Sequence, residues 1–119
     1  MKKENNKNEE LKQLVSELKK LSIEKKAKIW KRVAEDLERP TRIKRVVNIY
    51  SLAKNSKDNE TIIVPGKVLG TGDIPHKINV AAYGFSEEAQ KKISEKGKAM
   101  SINDLMKQNP QGKNIRILG

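Results

Sequence analysis

The chain has 119 residues, 35% of them hydrophobic and 34% charged, and carries a formal net charge of +11 with a pI near 9.9. That length fits one domain (1–119) with one modest core, burying roughly 60–70% of the unfolded surface. The absence of cysteine excludes disulfides, thiolate catalysis and zinc–thiolate sites, while MKKENNKNEE has no apolar h-region and VAAYGF is far below the ~18 residues of a membrane span.

Residues 1–8 are polar and are expected to form a flexible arm. Leu11, Leu14, Val15 and Leu18 then recur at helical spacing. Ser22 followed by Glu24 reads as the cap and first-turn acid of a second helix. Trp30, Val33, Ala34 and Leu37 share one face of it, and Pro40 predicts its end near Arg39. In residues 43–54, Ile43, Val46, Val47 and Tyr50 fit a further helix, while Val47 and Ile49 also fit an extended segment; the helix is the expectation, and SKDNE (56–60) reads as a turn. After Thr61 the texture changes. TIIV, KVL and INVAAY (78–83) read as three short strands. Ser86, with Glu87 and Glu88, opens a helix that Gly97 ends. KAM (98–100) reads as a short strand. Ser101 and Asp104 form a capping-box-like start to a brief helix limited by Pro110. IRIL (115–118) reads as a closing strand. The class is α/β, with helices first and then alternating short strands and helices.

Both halves of the chain are net positive, so the excess is not a detachable tail. A folded domain of such pI has the electrostatic footprint of a polyanion binder. Arginine forks phosphate oxygens and stacks on bases better than lysine does. Four of the five arginines, Arg32, Arg39, Arg42 and Arg45, lie within 32–45, with Lys44 among them. They are candidate nucleic-acid contacts. The fifth, Arg116, alternates with Ile115 and Ile117 and so points away from their face; Lys113 lies just upstream.

The glycine-rich VPGKVLGTGD (64–73) fails as a P-loop, because valine follows Lys67 where a magnesium-binding Ser or Thr belongs. It fails as a dinucleotide fingerprint too, with Pro75 at the third glycine position. Gly70 and Gly72 would instead expose backbone to a phosphate chain, with Lys67 and Lys77 on either side. His76, the only histidine, reads as an exposed loop residue. Ser22, Ser86 and Ser101 are spoken for as caps, as are Glu87 and Glu88, and Asp73 reads as a turn residue. No nucleophile meets an oriented base, so no enzyme and no cofactor is expected. Trp30 belongs to the core. AYGFS is not the aromatic RNP pattern of an RNA-recognition sheet, which favours a binder of phosphate and shape over a reader of splayed bases. A helix-turn-helix DNA regulator is the alternative, with helices at 23–38 and 43–54. Its second helix, carrying Val46, Val47, Ile49, Tyr50 and Leu52, is too apolar for a groove reader.

TIIVPGKVLGTGDIPHKINVAAYGFSEEAQKKI resembles the large-subunit ribosomal protein eighteen-e family of archaea and eukaryotes. IWKRVAEDLERPTR, Val47-Asn48, SINDLMKQNP and IRILG extend the likeness past about residue 9. The resemblance implies N-terminal helices followed by an irregular β-β-α superhelix. It implies a cytoplasmic, ribosome-bound structural role, on large-subunit rRNA and beside neighbouring ribosomal proteins, with no membrane and no small-molecule substrate. The length suits an archaeal member. Contacts carried over are Arg39, Arg42, Lys67, Lys77 and Arg116. Ser51 and Ala53 stand where the family pattern has arginine and asparagine, with Lys54 keeping one charge, and Tyr83 replaces a common phenylalanine; 51–53 are therefore not counted.

Overall fold

A computed structural model describes residues 2–38 and 45–118, with side chains for residues 9–38 and 46–118. The expected flexible arm (1–8) falls where side chains are not described. Two helices come first, α1 (Lys2–Lys25) and α2 (Lys28–Leu37). Leu11, Leu14, Val15, Leu18 and Leu21 form the inner stripe of α1; Trp30, Val33, Ala34 and Leu37 form that of α2, and the stripes pack on each other. The expected cap at Ser22 is not formed, because α1 runs through it. The reversal comes at Lys26, which takes a left-handed φ of 53°. Ser22 gives only its backbone carbonyl, to the Ala27 N–H at 3.1 Å. α2 ends at Leu37, short of Pro40 as expected; residues 39–44 lie outside the described residues.

The helix expected over 43–54 is a strand and then a helix: β1 (Arg45–Asn48) and α3 (Ile49–Lys54). Val46 and Val47 suit a strand, and pairing with the next strand decides the matter. No single helix therefore follows α2 as the helix-turn-helix reading requires. The two strands expected from TIIV and KVL are one, β2 (Glu60–Leu69). Its register against the following strand shifts between Val64 and Lys67, so Pro65-Gly66 is absorbed as a bulge. β3 (Ile78–Phe85), α4 (Glu87–Lys96), β4 (Lys98–Ser101), α5 (Ile102–Gln108) and β5 (Ile115–Ile117) follow close to expectation. The Ser86 and Ser101 hydroxyls cap α4 and α5, each accepting from the N–H three residues on at 3.1 Å.

All strand pairs are parallel, in the order β1-β2-β3-β4, and β5 also pairs with β2, beside its N-terminal half. Registered rows alternate between the faces. Ile117, Ile63, Ala81 and Met100 form one row, turned toward α1, α2 and α5. Ile62, Val80 and Ala99 form the next, turned toward the second core with α3 and α4. Burial on both faces explains the unbroken apolar texture of IIV and VAA.

Candidate nucleic-acid interface

Arg32 and Arg116, 84 positions apart in sequence, line one groove. α2 supplies Lys28, Ile29, Arg32 and Asp36; β5 supplies Ile115, Arg116 and Ile117; the space between is about 490 Å3. The fold makes this groove because Ile115 and Ile117 turn into the first core while Arg116 is exposed, the orientation expected from alternation. Arg116 also has a structural task. Its guanidinium donates to the Asn55 carbonyl and to Glu60 Oε1 at 3.2 Å, tying the chain's end to the turn before β2. Lys113 is exposed near the same groove. Its backbone is held by the Asn109 side chain, whose Nδ2 donates to the Lys113 carbonyl at 2.8 Å. Its neighbour Gly112 (φ 66°) lies so close to Ile29 that a Cβ would come within 2.5 Å of Cγ2.

Lys67 is separate from this groove. It is exposed on β2 just past the bulge and is registered with Val46, which is also exposed. The backbone of Arg45 pairs with Gly66 in the same ladder. The expected contacts at Arg39, Arg42 and Lys44 fall outside the described residues.

Gly70 and Gly72 are required by packing. A Cβ at Gly70 would lie 2.7 Å from Glu88 Cβ, and one at Gly72 (φ 109°) would lie 2.8 Å from the Tyr50 backbone. The loop turns its carbonyls inward onto one ammonium group: Lys92 Nζ on α4 donates to Gly70 O at 2.8 Å and Gly72 O at 2.7 Å. Glu88 Oε1 balances that charge at 3.1 Å. Sequence reasoning missed Lys92. Its only local signal was the i,i+4 spacing from Glu88, which says nothing of a loop twenty residues upstream.

Lys77 stands at the N-terminal end of the strands. Its N–H donates to Asp58 Oδ1 at 3.0 Å, and its carbonyl accepts from Asn59 N at 2.6 Å. Its side chain lines a depression of about 400 Å3 with Lys98, Asn79 and Thr61. Lys98 is a second cation that sequence reasoning did not select. His76 is half-buried rather than exposed, with Nε2 2.9 Å from Ser56 Oγ. The 56–60 turn folds onto the 74–77 loop and brings the two together. Among the described residues, no cluster of three or more His, Asp or Glu could hold a metal, and no helix is long and apolar enough to cross a membrane.

The described candidates thus form three basic areas, at the β5 edge, past the β2 bulge and at the N-terminal strand ends. Such a spread suits an extended polyanion better than a small ligand. The chain matches the family described as ribosomal proteins 50S-L15, 50S-L18e and 60S-L27A over residues 10–100. The large ribosomal subunit protein eL18 of Methanothermobacter thermautotrophicus is 42% identical over 112 residues, 93% of each chain. That of Archaeoglobus fulgidus is 45% identical over 98 residues, 82% of this chain and 84% of its own. That of Haloarcula marismortui is 36% identical over 111 residues, 93% of this chain and 96% of its own. With most of its length matched in this way, the chain belongs to the ribosomal protein family of 50S-L15, 50S-L18e and 60S-L27A.

Proposed function

We propose that this chain is a structural, non-enzymatic constituent of the large ribosomal subunit, ribosome-bound in the cytoplasm, with its basic areas against large-subunit rRNA and its remaining surface against neighbouring ribosomal proteins. The observation that carries this reading is the match to proteins named large ribosomal subunit protein eL18 across nearly the whole chain. The electrostatics support it. A net charge of +11 is distributed along both halves of the chain and not on one tail. Each lysine or arginine placed on a phosphate releases condensed counterions, so affinity falls with salt by about 0.7–0.9 log units per log unit of salt for each neutralised charge. The fold's task is to hold those cations at fixed separations. Arg116 illustrates this, since the same guanidinium that lines the groove also fastens β5 to the 55–60 turn.

The test is binding of the full-length protein to protein-free large-subunit rRNA across a salt series. Affinity should fall steeply with salt, and Arg32→Gln and Lys113→Gln should each reduce the slope by about 0.7–0.9. A wild-type protein with no salt-dependent affinity for this RNA would refute the reading.

A further inference from the structure

Of five glycines whose surroundings are described, one is not required by packing. At Gly70, Gly72, Gly97 and Gly112 an added Cβ would run into a neighbouring element. Gly84 differs. A Cβ there would meet nothing within 4 Å, and its φ is not in the left-handed region. Glycine in a strand interior marks a bulge or a place where a ligand or another backbone comes close; Gly84 is the first residue of β3 paired past the β2 bulge, and the space above it is open.

The surroundings of Gly84 indicate what comes close. In the sheet register it lies beside Lys67, which in turn lies beside Val46. The neighbouring row, Val47, Val68 and Phe85, packs into the second core. The Val46–Lys67 pair is left in solvent, with Val46 55% exposed. Gly66, Lys67, Tyr83, Gly84 and Phe85 line a depression of about 320 Å3. That volume is at the small end of ligand sites, which run from about 300 to 1,000 Å3. Its lining holds one cation, no carboxylate and two partly exposed aromatic residues, Tyr83 leaning on the first core and Phe85 on the second.

We infer that this depression seats a single unpaired nucleotide of RNA, the base lying flat over the Gly84 backbone beside Tyr83 and Phe85, with the phosphate at Lys67. The inference rests on the rRNA-binding reading and adds a base contact to a surface otherwise suited to phosphate. A partly exposed aromatic side chain with a flanking cation is a combination that holds a single-stranded base through stacking and charge. The lining's lone positive charge favours RNA over an apolar protein segment.

Gly84→Ala tests it, because the substitution fills the seat without touching the fold or the charge. Circular dichroism and the thermal midpoint should match wild type, the midpoint being no lower. Affinity for protein-free large-subunit rRNA should fall about ten-fold, the scale of one lost base–aromatic contact, with the salt slope unchanged. Lys67→Gln should instead lower the slope by about 0.7–0.9, and ultraviolet crosslinks should map to Tyr83 or Phe85. Gly84→Ala binding as tightly as wild type would overturn the nucleotide seat alone. Loss of the variant from large subunits despite full RNA affinity would overturn it in favour of a protein neighbour. A misfolded Gly84→Ala would overturn it as well, by showing that the fold does need this glycine. Failure of wild type itself to bind would instead sink the parent reading, and the seat with it.

Discussion

The two faces of the sheet are held by different chemistry. On one, α1 and α2 lay long apolar stripes over Ile63 and Ala81, with Trp30 fully buried among them. Its indole Nε1 donates to the Pro110 carbonyl at 2.8 Å, which fastens the segment leading to β5. On the other, α3 and α4 cover the second core, and a loop is pinned by an ammonium group, Lys92, on the carbonyls of Gly70 and Gly72. The first face is a packed support. The second combines packing with polar ties that set the course of a loop. The difference teaches that one small domain can place its stability and its surface loops under separate control.

Trp30→Ala should break the first face outright. It should cost about 3–5 kcal/mol, by emptying the core and orphaning the Pro110 carbonyl, and denaturant unfolding will measure it. Hydrogen exchange should rise on both faces, because the sheet loses its support. Gly97→Ala probes the junction between α4 and β4, where a Cβ would overlap the Ile78 carbonyl. A cost of about 3 kcal/mol is expected, the upper end of overpacking, since backbone and not a flexible side chain must move. Lys92→Met should be milder, about 1–2 kcal/mol. Its signature is local, with faster amide exchange at 70–73 and little change in the α1–α2 hairpin. If Lys92→Met instead loosened both faces equally, the separation between them would fail. The smallest effect is a gain. Lys26→Gly relieves a left-handed lysine between α1 and α2 and should stabilise by about 0.5–1 kcal/mol.

The sequence made the first face legible because its information is local. Leu14, Leu18, Trp30 and Val33 announce their stripe by spacing alone, and Ser86 and Ser101 announce their caps. Ser22 misled, because a serine before an acid looks like a cap whether or not the helix pauses there. β1 was ambiguous for a similar reason. Val46, Val47 and Tyr50 fit a helix locally, and only the ladder with β2 makes Arg45–Asn48 a strand. The site was less legible than the fold. Arg32 and Arg116 could be picked out as arginines, but their shared groove depends on β5 returning beside α2. Lys92 and Lys98 are two lysines among many until the loop and the strand rows place them. The need for Gly70 was visible as a glycine-rich run, yet its cause, the side chain of Glu88, was not.

The measurement that bears most directly on the central claim is sedimentation of a native lysate at moderate salt, with this chain quantified across the gradient by mass spectrometry. Stoichiometric migration with the large subunit and with translating ribosomes is expected. A chain that stays at the top of the gradient while other large-subunit proteins sediment would contradict its place as a structural constituent of that particle.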